Sequence, residues 1–157
     1  MLSGGPKRRR SNWVAKAPST DTANLWYAGG LSFACTGCGE CCTGKPGYVW
    51  VNDAEITRIA EYVGMSRSDF RKRYLKLTFG GYSIVEKSNY DCAFLDKPRC
   101  LIYEVRPRQC RTWPFWTENV RSREDWEEEA VNCPGMNRGK KYSVEEINRI
   151  LNGSSET

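Results

Sequence analysis

The chain has no histidine. That absence removes the commonest general base, every Ser-His-Asp or Cys-His arrangement, and the commonest nitrogen ligand for a metal. No apolar run approaches the roughly 20 residues of a membrane span, so no membrane partner is expected. No glycine fingerprint of the Rossmann or P-loop type occurs, so nucleotide phosphates find no ready cradle. No fixed-period repeat is present. The opening residues, Met1 to Arg10, carry charge with no apolar stretch behind it. They read as no secretory signal, which sets the expectation of a cytoplasmic, reducing environment.

Cysteine, by contrast, is abundant: eight in 157 residues, with four packed into Cys35-Thr-Gly-Cys38-Gly-Glu-Cys41-Cys42. The others are Cys92, Cys100, Cys110 and Cys133. A disulfide framework fits an oxidising compartment, which the N-terminus does not suggest. Adjacent Cys41 and Cys42 are awkward to bridge, since each needs a partner approaching from its own direction. Without histidine, a metal would be held mainly by thiolate sulfur, which suits zinc in closed sites, iron, or an iron–sulfur cluster. A zinc ion closed by four thiolates has no open position for water, so zinc-dependent hydrolysis is not expected.

The formal net charge is +5 with neutral thiols. Each zinc or four-iron cluster held by four thiolates would remove two of those positive charges. The basic balance therefore offsets sulfur charge and argues little for nucleic acid. The patch Lys7-Arg8-Arg9-Arg10 reads as a solvated tail. Residues 1–24 are expected to form a disordered basic tail and residues 152–157 a disordered C-terminal one. Between them, 25–151 make one cysteine-cluster metal-binding domain.

Local signals within that domain predict an α+β fold of short helices and hairpins, with a loop-rich centre stapled by cysteine-ligated metal. Leu25–Phe33 reads as a short extended entry to the cysteine loop, and 48–51 as a strand. Asn52 followed by Glu55 resembles a capping box opening a helix whose apolar face is Ile56, Ile59, Ala60 and Val63, with Gly64 as its stop. Ser66 with Asp69 opens a second helix carrying Phe70, Tyr74 and Leu75. Residues 78–85 read as a hairpin around Gly80-Gly81. Asp96-Lys-Pro-Arg99 is a turn that would bring Cys92 near Cys100. Pro107 and Pro114 interrupt any helix there. Residues 124–130 read as helical, and Ser143 with Glu146 caps a last helix bearing Val144, Ile147, Ile150 and Leu151.

Cys35-x2-Cys38-Gly is a metal knuckle common to zinc ribbons and iron–sulfur proteins. Extended to Cys41, it matches the first three cysteines of a ferredoxin run, and Cys133-Pro134 offers a distant fourth. Arg106, Arg108 and Arg111 flank Cys110, where cationic charge favours thiolate. An anionic substrate is the alternative use of these arginines. Trp113 to Trp116 reads as core packing that keeps water from the metal, and so do Tyr48 and Trp50.

The whole series is Phe33-x-Cys35-x2-Cys38-x2-Cys41-Cys42, then Cys92-x-Phe94-Leu95. It continues Cys100-x-Ile102-Tyr103-Glu104-x-Arg106-Pro107-x2-Cys110-Arg111-x-Trp113-Pro114-Phe115. This resembles the CxxCxxCC cysteine-cluster family of zinc- or iron-chelating domains over about residues 31–135. The family includes flagellin lysine N-methylases, which are associated with an iron–sulfur cluster. The resemblance implies metal binding by these cysteines. It carries no methylase activity with it, since no separate segment for methyl donor or flagellin is visible.

The candidate metal ligands are thus Cys35, Cys38, Cys41, Cys42, Cys92, Cys100, Cys110 and Cys133. Eight thiolates make two four-sulfur sites, or one site with the rest structural. The second arrangement would use Cys35, Cys38, Cys41 or Cys42, and one or more of Cys92, Cys100 and Cys110. Cys133 has the alternative of packing as a small apolar residue. The cofactor is zinc or iron, with a [4Fe–4S] cluster as one form. Three roles remain open: a metal-binding protein, an iron–sulfur enzyme of redox or methyl transfer, and a zinc-stapled module. That module would take a protein partner, with nucleic acid less favoured.

Overall fold

A computed structural model describes residues 22–44 and 46–153. The basic patch and nearly all of the expected tails lie outside these residues. Among the described residues there are seven short strands and six α-helices. No helix among them is long and apolar enough to cross a membrane.

The first half is built on a three-stranded antiparallel sheet. Its strands are β2 (Val49–Val51), β4 (Gly81–Ile84) and β3 (Leu75–Thr78), with β4 in the middle. Helix α1 (Asp53–Tyr62) starts where the sequence says it should. The Asn52 side chain accepts from the Glu55 amide, and the Glu55 carboxylate accepts from the Asn52 amide, both at 2.9 Å. This satisfies two donors that a helix start otherwise leaves bare. Helix α2 (Arg67–Tyr74) is capped by Ser66 and runs directly into β3. Ile56, Ile59, Ala60 and Phe70 are fully buried with Val51, Leu75, Ile84, Phe94 and Ile102. Removing the cap by Asn52→Ala is expected to cost about 1 kcal/mol of stability, read by urea unfolding. An unchanged midpoint would mean that packing alone sets the helix start.

The second half gathers around Trp126 on α5 (Arg123–Ala130), which is completely buried. Around it pack Phe33, Phe115, Met136 and Ile147, among others. Helix α6 (Val144–Leu151) carries the predicted capping box of Ser143 and Glu146. Strand β1 (Leu31–Phe33) pairs antiparallel with β7 (Lys140–Tyr142), which ties the start of the domain to its end. β7 and the short α4 (Thr117–Val120) were not visible in the sequence pattern.

One local expectation is corrected. Only Leu31–Phe33 of the 25–33 segment is extended. Before it, the backbone folds into successive turns, with Ala28 N–H donating to the Leu25 carbonyl and Gly30 N–H to that of Tyr27. Gly30, at φ 84°, makes the change of direction.

The hairpin of β5 (Leu95–Asp96) and β6 (Arg99–Cys100) closes at the expected turn. With α3 (Arg108–Arg111), just past Pro107, it lies in the part of the chain that links the two apolar clusters. The molecule is a small α+β domain with antiparallel sheets.

Candidate metal centre

The loop after β1 is fastened at three places. Ala34 N–H donates to the Gly135 carbonyl at 3.0 Å, and a single helical turn spans Glu40–Cys42. The Cys42 carbonyl then accepts from the Cys92 amide at 2.8 Å. Side chains reinforce this last joint. The Thr43 hydroxyl donates to the buried Asp91 carboxylate, as does the Asn89 amide at 2.9 Å, and Lys97 lies 3.5 Å from Asp91. The Thr43 hydrogen bond, with those of its neighbours, holds the Asp91 carboxyl below its ordinary range. Residues flanking Cys42 and Cys92 thereby lock two distant cysteine segments together.

Gly39 sits at φ 79° with its backbone against the hairpin. A Cβ there would stand 2.9 Å from Leu95 Cδ1 and 3.0 Å from the Pro98 carbonyl oxygen. The cysteine loop thus lies directly on the β5–β6 turn, and only glycine permits it. Cys100 ends β6 opposite Leu95, and Cys110 comes from α3.

These connections bring Cys35, Cys41, Cys42, Cys92, Cys100 and Cys110 to the wall of one cavity of about 80 Å3. Its remaining wall is largely apolar: Phe33, Ile84, Pro98, Ile102 and Trp113. It lies at the seam of the fold, since Phe33 belongs to one apolar cluster and Ile84 and Ile102 to the other. All eight cysteines are free thiols. Among the described residues no three Cys, Asp or Glu side chains converge as a finished metal site, and the thiols ring the cavity instead. Cys38 is half-buried on the same loop and does not line the cavity. Cys133 is buried in the cluster around Trp126, away from the cavity wall.

The electrostatics divide the thiols. Cys41 and Cys42 lie 3.8 Å apart, sulfur to sulfur. Their hydrogen bond lowers the Cys41 pKa to about 7, with help from Arg106, and pushes Cys42 up. Burial raises Cys92 and Cys100, and raises Cys110 to about 12, with neighbouring thiolates adding to the effect. The cavity is therefore a set of mutually repelling sulfurs that cannot all ionise unless positive charge enters. Arg106 supplies part of it and stacks over Tyr103 at 3.6 Å. Hydrogen bonding to Cys35 raises the Tyr103 phenol.

In the metal-free protein, Cys41 is expected to be alkylated fastest, its rate rising with pH through about 7 as its thiolate forms. Cys110 should stay slow to about pH 12. Peptide mapping after iodoacetamide at several pH values reads both. Equal rates at the two sites would contradict this division.

Residue spacing groups the cysteines with their arginines and places Tyr103 in the motif, but it reveals neither the Tyr103–Cys35 hydrogen bond, nor the Gly39 contact, nor the Asp91 joint. The available signal was position: Thr43 directly follows Cys42, and Asp91 directly precedes Cys92. Tyr48 and Trp50, expected in the core, instead stack on each other at the surface, 53% and 39% exposed. Phe115 is buried as expected, while Trp113 and Trp116 are only half-buried.

Residues 34–134 match the family described as "CxxCxxCC: Putative zinc- or iron-chelating domain". The chain belongs to this family. The matched span begins just before Cys35 and ends just after Cys133, so it contains all eight cysteines of the chelating domain. An uncharacterized protein of Methanocaldococcus jannaschii is 32% identical over 91 residues, which is 57% of this chain and 48% of that protein. The chain thus spans about half the length of this relative. No solved structure matches.

Proposed function

We propose that this chelating domain holds zinc or iron in a single composite centre formed by Cys35, Cys41, Cys42, Cys92, Cys100 and Cys110. Cys38 is close at hand on the same loop, and Cys133 serves as a packing residue. The observation that carries this reading is one cavity with six thiols drawn from three separate segments, and with no carboxylate in its wall. Sulfur-only donor sets select zinc, iron or iron–sulfur clusters over harder cations. Six thiols around one space favour one shared centre over two separate four-sulfur sites.

The metal would supply the positive charge that lets the buried thiols ionise, and it would staple the two halves of the fold. Arg106 offsets the remaining sulfur charge. Phe33, Ile102 and Trp113 limit the access of water to the sulfurs. Six thiols exceed the four that a closed zinc site uses. A four-iron cluster also uses four, so two thiols are spare in either form.

The test is anaerobic purification followed by an ultraviolet–visible spectrum and assays for iron, zinc and acid-labile sulfide. Iron with equivalent sulfide supports the cluster form. Colourless protein with tightly held zinc supports chelation and removes the cluster. Protein that holds neither metal, and takes up neither under reducing conditions, overturns the reading.

A further inference from the structure

Two further arginines, Arg108 and Arg111, stand beside Arg106 at the edge of the centre. A pocket of about 600 Å3 adjoins the cysteine cavity and shares Cys35, Tyr103, Arg106, Arg111 and Trp113 with it. Arg108 enters this pocket and not the cysteine cavity. Its size falls within the roughly 300–1,000 Å3 of small-molecule sites. Three guanidinium groups line it, and no aspartate or glutamate does.

Backbone carbonyls hold the three arginines. Arg106 donates to the Tyr103 carbonyl at 2.6 Å, Arg108 to that of Ile150 at 2.9 Å, and Arg111 to that of Arg106 at 2.9 Å. Carbonyl bonds orient a guanidinium without neutralising it. Among the described residues, the ion pairs involve Arg67, Arg71, Lys76, Lys97, Arg121 and Lys140, and none of these three. Arg108 and Arg111 are exposed, so their charge is open to a ligand from solvent. The rest of the wall includes Trp113, Tyr142 and Ile150, which offer aromatic and apolar surface. Trp113 Nε1 is a buried donor with no hydrogen-bond partner. Such a group marks a place where the protein alone leaves an interaction unmade.

We infer that this pocket is a binding site for a small organic oxyanion. A carboxylate or phosphate would meet Arg108 and Arg111, and an apolar or aromatic body would lie on Trp113 and Tyr142. The planar guanidinium fork suits both head groups. A ligand seated there lies against Cys35, the cysteine common to both cavities. The inference holds whichever metal the cysteines take.

The test is isothermal titration of the full chain, as purified, with phenyl phosphate, benzoate and inorganic phosphate at low ionic strength. Either phenyl phosphate or benzoate is expected to bind saturably, one per chain, and the stronger of the two identifies the head group. Arg108→Gln and Arg111→Gln should each weaken that binding about tenfold or more, as expected for losing a hydrogen bond to a charged group. Arg108→Lys should restore only part of the loss. The metal content of Arg108→Gln should equal that of the wild type, which separates this site from the cysteine centre. Failure of both aromatic probes to saturate at millimolar concentration would overturn the inference, as would wild-type affinity in both glutamine variants. Inorganic phosphate binding as tightly as phenyl phosphate would overturn its apolar half. Loss of the metal reading with anion binding intact would leave this inference standing.

Discussion

Chelation of the metal under reducing conditions is expected to lower the melting temperature by about 10 °C or more, which corresponds to a few kcal/mol for a chain of this size. Structural zinc in small peptides supplies far more, on the order of 10–16 kcal/mol, because there the metal is the whole core. Here two apolar clusters, around Trp126 and around Ile56 and Phe70, retain their own packing. The loss should therefore fall on the seam. The loop of Cys35–Cys42 and the β5–β6 hairpin should open first, and α1 and α5 should persist. Hydrogen exchange would show early loss of protection at the Cys42 and Cys92 amides, both hydrogen-bonded in the fold. An unchanged melting temperature in the chelated protein would mean that the cysteines do not staple the fold.

Cysteine substitutions should separate into two kinds. Cys92→Ser and Cys110→Ser remove sulfurs from the cavity wall and are expected to abolish at least half of the bound metal. Serine is a poor ligand for soft, sulfur-selecting ions. Cys133→Ser should leave metal content at the wild-type level and still destabilise the fold. It places a hydroxyl among Phe115, Trp126 and Met136, at a cost of about 1–3 kcal/mol for a buried polar group without a partner. Metal analysis and urea unfolding of the three variants read both effects. If Cys133→Ser emptied the site and Cys110→Ser did not, the assignment of ligands would be reversed.

Much of this fold was legible because its signals are local. The caps at Asn52 and Ser143 and the turn at Asp96–Arg99 each depend on residues a few positions apart. What was not legible depends on partners far along the chain. Lys140–Tyr142 carries no strong strand pattern, and it is a strand because Leu31–Phe33 pairs with it. Leu25–Phe33 carries Trp26, Tyr27, Leu31 and Phe33, which suit a strand, yet its first part turns, burying Tyr27 against the second half. The size of Tyr48 and Trp50 suggests core. Their backbone forms the start of β2 and its approach, which Gln109 holds by bonds to the Tyr48 carbonyl and the Trp50 amide, leaving both rings outside.

The site follows the same division. The spacing of Cys35, Cys38 and Cys41 marked a ligand loop, and the hairpin turn brought Cys100 back towards Cys92. Spacing said nothing of the distance between Cys133 and the other sulfurs, because that depends on how the two apolar clusters are joined. Nor did it separate Arg108 from Arg106. One lies between the second pocket and the end of α6, the other over Tyr103 at the cysteine wall.

In the proposed centre, thiolates of the seam cavity hold the metal. X-ray absorption at the edge of whichever metal copurifies, recorded on anaerobic protein, tests it most directly. Sulfur alone is expected around the metal, at about 2.3 Å if the metal is zinc. A shell dominated by oxygen or nitrogen, at about 2.0–2.2 Å for zinc, would contradict it.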